Sequence, residues 1–239
     1  MNFLYLLYNE VLYRPLFNAL VWLYGVLPVH DLGFAIIVLT TVIRILLAPF
    51  LLKAQKTQAA LSRLQPEIKR IQETMKNDRE AQGRAMMELY RTHKVNPLSG
   101  CLTVLIQLPV LIALFSVFQR GLETSELSRL YSFVANPGTL HAISFGFLDL
   151  TKGNIYLGII AALTQFLQTR LTMPLPDSSA NSFSKTLAWQ TTYILPILIF
   201  VWSFKFPSAL LLYWTILNIL GILQELLVRR FSAHRPKSV

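Results

Sequence analysis

The sequence predicts an all-α integral membrane protein. It has five transmembrane helices, an N-terminal interfacial amphipathic helix and a cytoplasmic helical hairpin. Three observations predict this. The 239 residues are 54% hydrophobic and only 14% charged, against roughly 25% charged in an ordinary soluble domain. The apolar residues fall in long runs, and the mean hydropathy is +0.48. The basic residues behind the formal net charge of +10 gather in two places, as cytoplasmic segments of a membrane protein do.

Residues 1–28 read as an extracytoplasmic amphipathic helix. Phe3–Leu7 and Leu16–Leu27 are apolar, interrupted by Asn9, Glu10, Arg14, Pro15 and Asn18. Glu10, Arg14 and Asn18 recur at i, i+4 and share one face. Tyr5, Tyr8, Tyr13, Trp22 and Tyr24 supply interfacial aromatics. A signal peptide is the rival reading. It is weakened because no Lys or Arg precedes the apolar stretch and no clear small-residue cleavage site follows.

Residues 29–239 read as the core, with spans near 33–52, 97–118, 154–173, 187–204 and 208–228. Each is near the ~20 residues needed to cross ~30 Å of hydrocarbon. The first contains Arg44 and, near its inner end, Pro49. The segment 53–96 is polar and strongly basic, from Lys53 and Lys56 to Arg91 and Lys94. The tail adds Arg229, Arg230, Arg235 and Lys237. Placing both in the cytoplasm puts the N-terminus outside and the C-terminus inside. The near-neutral 120–152 linker and the turn at Lys205 then fall outside, so every loop agrees.

Within 53–96, Leu61, Leu64, Ile68, Ile71 and Met75 are spaced 3, 4, 3, 4, a heptad seam. Met86, Leu89 and His93 repeat the spacing beyond a turn at Asn77-Asp78. A helical hairpin is expected over 53–96, with Pro66 kinking its first helix or marking a helix start. The simpler alternative is a charged, solvated connector.

Arg44 is the most informative residue. It lies about ten residues from either end of its span, ~15 Å from each surface. A charge there costs ~2.5–3.5 kcal/mol on insertion scales. A wet cavity or a partner would offset this, and Glu225 is the structural candidate, although it sits nearer the cytoplasmic end. Thr40 is one turn outward on the same face. Gln107, Gln165, Gln168 and Asn218 are amides at membrane depth, and Tyr213 and Trp214 sit in the last span. Each is also a candidate for simple helix packing.

Other chemistry is missing from the sequence. There is no GxxxxGK[ST], HExxH or GxSxG motif. His30, His93, His141 and His234 are scattered without metal-ligand spacing. The single cysteine, Cys101, forms no internal disulfide. No enzyme, metal site or cofactor is expected.

Several segments together resemble one family. TVIRILLAPF at 41–50, LQPE at 64–67, LYRTHKVNPLSGCL at 89–102, QLP at 107–109, FLDL at 147–150 and FPSALLLYW at 206–214 are similar to the YidC/Oxa1/Alb3 membrane protein insertases. The resemblance runs from about residue 10 to 230, with the motifs in family order. It implies a five-helix core with a cytoplasmic hairpin and a hydrophilic groove open to cytoplasm and lipid. It also points to a compact bacterial form, without the large periplasmic domain of many relatives. The family's groove arginine matches Arg44, its threonine Thr40, its third-span glutamine Gln168, and its aromatic pair Tyr213 and Trp214. Some relatives carry Tyr where this chain has Trp214.

The expected function is insertion of nascent membrane proteins into the bacterial cell (inner) membrane without nucleotide hydrolysis, and assistance in their folding. The groove set is Arg44, Thr40, Gln107, Gln168, Tyr213, Trp214 and Asn218. The partners implied are nascent membrane proteins, the ribosome, the Sec translocon and membrane lipids, with no DNA and a monomer as the active form. The basic tail reads either as a topology anchor or as a contact to ribosomal RNA. The alternative function is a small-molecule or anion transporter using Arg44 as counter-charge, but the internal symmetry usual in transporters is not visible.

Overall fold

The computed structural model describes residues 3–96, 99–120, 124–172 and 182–233, and these are mostly helical. Pro97, the loop residues Pro174, Pro176 and Asp177, and the tail residues Arg235 and Lys237 lie outside them.

The chain starts as one continuous helical run: α1 (Phe3–Tyr8), a π-helical turn (Asn9–Tyr13) and α2 (Arg14–Val26). Pro15 comes just after the π-helical turn, inside the run, where it lacks the N–H that would continue the α-helical ladder. Tyr13, Phe17, Leu20, Val21 and Tyr24 are buried, while Trp22 and Val26 are exposed. The polar stripe meets protein rather than water alone. Asn18 donates to the carbonyls of Arg14 and Arg129 and accepts from the Tyr131 N–H at 2.6 Å. Arg14 pairs with Glu10 at 3.1 Å and its guanidinium lies over the Tyr131 ring. Tyr13 donates to Glu126 at 2.7 Å. Burial, then the Glu126 carboxylate, push the Tyr13 phenol above its ordinary value, so it keeps the proton it donates.

Asp31 starts the longest helix, α3 (Leu32–Arg63). Its carboxylate accepts from the N–H groups of Gly33 at 2.7 Å and Phe34 at 3.2 Å, two of the donors that a helix start leaves unpaired. The helix runs past the apolar stretch into the basic segment, with Pro49 inside it. After Leu64 comes α4 (Gln65–Thr74), with Pro66 in its first turn, so the proline marks a start rather than a kink. Asp78 caps α5 (Arg79–Thr92), accepting from Glu80 N–H at 3.1 Å and Ala81 N–H at 2.9 Å. The two helices pack together. Leu61, Leu64 and Ile68 are buried, but α5 contributes no fully buried residue, and His93 is exposed.

α6 (Ser99–Arg120) contains Pro109. A 3-10 turn (Thr124–Arg129) follows, then a two-stranded antiparallel ribbon of β1 (Ile143–Ser144) and β2 (Leu148–Asp149). α7 is Ile155–Thr172. α8 (Ser182–Trp189), a π-helical turn (Gln190–Ile194) and α9 (Leu195–Trp202) run on without a gap. α10 is Ser208–Ala233. Its first N–H groups donate to the carbonyls of Lys152 at 2.8 Å and Leu150 at 3.1 Å, so the loop before α7 caps α10.

Two of these helices, Leu32–Arg63 and Ser208–Arg230, are long and apolar enough to cross a membrane. Gln107–Arg120 and Gln190–Trp202 are shorter apolar stretches. α10 packs on α7 and α3, and α9 packs on α7. Many apolar side chains face outward, among them Ile45 and Leu46 on α3, Leu163 on α7, Ile197 on α9 and Leu227 on α10. That much exposed apolar surface suits lipid, not water.

The apolar core is off-centre along the helices. It joins Phe17 and Val21 of α2, Ile36 and Leu39 of α3, Leu114 and Val117 of α6, and Leu210 of α10. On α3 the buried residues stop at Thr40 and resume at Leu51. Arg44 lies in that gap.

Candidate functional site

Arg44 lies ~18 Å along the α3 axis from Leu32 at 1.5 Å per residue. Its Nε is buried and has no hydrogen-bond partner among the described residues. Its ion-pair candidate is engaged elsewhere, because Glu225 pairs with Arg229 at 2.8 Å. Among the described residues Arg44 forms no salt bridge. A buried donor left unpaired costs about 1–3 kcal/mol, and more on a charged group, so an anionic or polar partner at Nε would relieve that cost.

Tyr213 of α10 is the neighbour that interacts electrostatically with Arg44. It is 1% exposed, and its phenol oxygen accepts from the Gln107 amide of α6. A buried hydroxyl needs such a partner. The Gln107–Tyr213 bond thus joins α6 to α10 within electrostatic reach of Arg44 on α3.

Gln168 of α7 joins from the other side at Gly221. A Cβ on Gly221 would lie 2.8 Å from Gln168 Nε2 and 3.1 Å from Arg44 Nη2. The missing side chain is what lets a guanidinium and an amide, both rich in donors, meet beside α10.

The remaining expected residues are placed differently. Thr40 is buried, and its hydroxyl donates to its own helix at the Ile36 carbonyl, 2.6 Å away. Trp214 turns to α7, where its indole N–H donates to Gln165 Oε1 at 2.9 Å. Gln165 in turn donates to Thr169 Oγ1 at 3.0 Å. Asn218 is 2% exposed and donates to Thr164 Oγ1 at 3.3 Å. Trp214, Asn218 and Gly221, at i, i+4 and i+7, thus line the α7-facing side of α10. The structure brings Arg44, Tyr213, Gln107 and Gln168 together, and uses Trp214 and Asn218 to hold α10 on α7.

Two participants lacked a clear sequence signal. Gly221 reads as one small residue in an apolar run. Gln224 donates to Gln55 Oε1 at 3.0 Å, tying α10 to α3 below Arg44, and neither glutamine stands out beside the charges around it. No group of His, Cys, Asp or Glu among the described residues could hold a metal ion. A separate open recess of about 1280 Å3 runs along α5, lined by Arg79, Arg84, Met87, Tyr90 and Arg91. It lies on the hairpin, apart from Arg44.

The model of the 60Kd inner membrane protein family matches residues 22–235. A protein of Fusobacterium nucleatum named membrane protein insertase YidC is 33% identical over 205 residues, 86% of this chain and 89% of the relative. Proteins of the same name from Syntrophobacter fumaroxidans and Francisella tularensis subsp. novicida are 33% and 37% identical. They are covered over 92% and 87% of this chain but only 38% and 34% of their own length. The chain belongs to the 60Kd inner membrane protein family, to which it is joined by relatives named membrane protein insertase YidC.

Proposed function

We propose that this chain is a bacterial inner-membrane insertase and chaperone that moves nascent membrane proteins into the bilayer through a hydrophilic groove open to cytoplasm and lipid. In this reading five segments span the membrane: α3, α6, α7, the α8–α9 run and α10. The N-terminus lies outside, and the α4–α5 hairpin and the C-terminus lie in the cytoplasm, where their basic residues favour them.

One observation carries the reading: Arg44 sits deep in the apolar part of a lipid-facing helix, with its Nε buried and, among the described residues, without a hydrogen-bond partner or an acid paired with it. The apolar core on the outer side supports a groove closed to the outside. A hydrophilic tail entering from the cytoplasm then meets polar groups for half of the membrane thickness. The Arg44 charge favours tails bearing Asp or Glu, because attraction is strong where the effective dielectric is low. The groove contributes Arg44, Tyr213, Gln107 and Gln168 directly, with Thr40, Trp214 and Asn218 fixing the helices around them. Release follows as the substrate's apolar span partitions into lipid at ~25 cal/mol per Å2, with no nucleotide. The hairpin offers the incoming chain a soluble arm, and the ribosome and Sec translocon are the partners that deliver substrates. The active unit is a monomer.

The test is complementation of insertase-depleted cells. Arg44→Glu is expected to fail, most severely for substrates with acidic tails, while Arg44→Lys retains part of the activity. Growth and insertion at the wild-type level with Arg44→Glu overturn the charged-groove reading.

A further inference from the structure

A long uncharged stretch lies between α6 and α7. From Leu130 to Leu148 there is no Asp, Glu, Lys or Arg, and His141 is the only histidine. A loop of that length facing water normally carries charge. This one carries Phe133, Ile143 and Phe147, which are 76%, 62% and 81% exposed. Phe147 is the most exposed large apolar side chain described.

The tip is held firmly. β1 and β2 pair Ser144 with Leu148, and both residues are buried. Ser144 Oγ accepts from the Gly33 N–H at 2.8 Å, and Asp31 Oδ2 accepts from the Phe145 N–H at 2.6 Å. Phe145 has φ +56, a region that a bulky residue rarely adopts. Glycine or asparagine would make this turn with less strain. Phenylalanine there gives a continuous file of rings. Phe34, in the first turn of α3, meets Phe145 edge-on at 5.1 Å between centroids, and Phe145 meets Phe147 at 6.5 Å. The file starts on the exposed apolar side of α3 and ends at the ribbon tip.

We propose that the uncharged 143–148 tip of the ribbon is an aromatic finger seated in the outer leaflet, with Phe147 and Phe133 at the headgroup–acyl boundary and the Asp149–Lys152 pair on its water side. The inference rests on α3 spanning the membrane. Its occupant is lipid, argued from continuity with the lipid-facing side of α3 and from the absence of charge along 130–148. Aromatic rings prefer that boundary, and an uncharged loop enters it without stranding an ion. The finger grips α3 at its cap through Asp31 and Ser144, so it fixes the depth of the helix bearing Arg44.

The test uses spin labels in proteoliposomes, with Cys101→Ser removing the single native cysteine. Labels are placed singly at Phe147→Cys, Phe133→Cys, Leu46→Cys and Lys76→Cys. Power saturation then compares access of oxygen, which concentrates in lipid, with access of a water-soluble nickel chelate. A severalfold higher oxygen-to-nickel ratio at 147 and 133 than at 76, yet below that at 46, supports the finger. Nickel-dominated access at 147 and 133 with oxygen-dominated access at 46 overturns the finger alone. Nickel-dominated access at 46 as well overturns the spanning reading and the finger with it. Poor access of both reagents at 147 and 133 means that protein covers them and overturns the lipid assignment.

Discussion

Asp31 joins two structures that are 114 residues apart in sequence, and its replacement should be felt in both. Its Oδ1 caps α3 through Gly33 and Phe34, and its Oδ2 holds the ribbon through Phe145 at 2.6 Å. Losing an aspartate N-cap costs about 0.5–2 kcal/mol. Losing a hydrogen bond to a charged acceptor costs about 1.5–3 kcal/mol. Asp31 is only half-buried, so water recovers part of each. Asp31→Ala is therefore expected to destabilise the protein by about 2–3.5 kcal/mol. Asp31→Asn keeps one oxygen, which can serve the cap or the ribbon but not both, and should cost about 1–2 kcal/mol. Unfolding by sodium dodecyl sulfate in mixed micelles, followed by tryptophan fluorescence, measures both. If both variants stay within about 0.5 kcal/mol of the parent, as inert surface changes do, the double role is refuted.

Gly221→Ala should still fold, because the new methyl meets side chains and no backbone: the ends of Gln168 and Arg44 at 2.8 and 3.1 Å, and Gln168 Cγ at 3.2 Å. A helical alanine in place of glycine adds up to about 1 kcal/mol of stability, while insertion of acidic-tailed substrates in proteoliposomes should fall. Gln107→Leu leaves the Tyr213 phenol buried and unpartnered and should cost about 1–3 kcal/mol. Adding Tyr213→Phe should recover most of that loss in the same unfolding assay, and no recovery would mean that the bond does not stabilise the fold. Asp149 accepts from Thr151 N–H at 3.0 Å and pairs with Lys152 at 2.8 Å. Those contacts, the Lys152 bond first, hold its carboxyl down to about 2 from 3.8. A depressed carboxyl stabilises the fold above its unfolded value and loses that effect on protonation. The melting-temperature advantage over Asp149→Asn should thus be constant above about pH 4 and shrink between about pH 4 and pH 2.

The helices were legible because apolar runs and caps are local. Asp31 before an apolar run and Asp78 after Asn77 both mark starts that sequence rules recognise. Two features escaped for physical reasons. α3 does not stop where its apolar run stops, since lysine, alanine and glutamine are good helix formers in water, so it continues to Arg63. The hairpin seam is also less symmetrical than its spacing, with Leu61, Leu64 and Ile68 buried and His93 exposed.

The site was legible in its residue types more than in its geometry. Arg44 declared itself by the energetic penalty of its position. Which amides meet it did not, because facing across helices depends on rotation angles that spacing within one helix cannot give. Trp214 and Tyr213 are adjacent, so their side chains point about 100° apart, and only Tyr213 turns toward Arg44. Gly221 matters through an absent atom, which no residue-type rule can detect. The partner of Glu225 is Arg229, one turn along its own helix, a local pair that outcompetes a distant one at little entropic cost.

The length of α3 has a mechanical consequence. Its N-terminal turns are clamped by the core up to Thr40, and the turns that follow run free of full burial as far as Leu51. Were the rod stiff, with its fulcrum near Thr40, Arg44 would lie ~6 Å beyond the fulcrum and Arg63 ~35 Å beyond it. A swing at the hairpin would then reach Arg44 reduced about sixfold. Pro49 stands between them and lacks the N–H that would bind the Ile45 carbonyl. Compliance is greatest there, so bending collects on the hairpin side. Buried Leu51 and Ala54 and the Gln55–Gln224 bond hold the next turns, so a load on the hairpin reaches the guanidinium much reduced and leaves it in register with Tyr213 and Gln168.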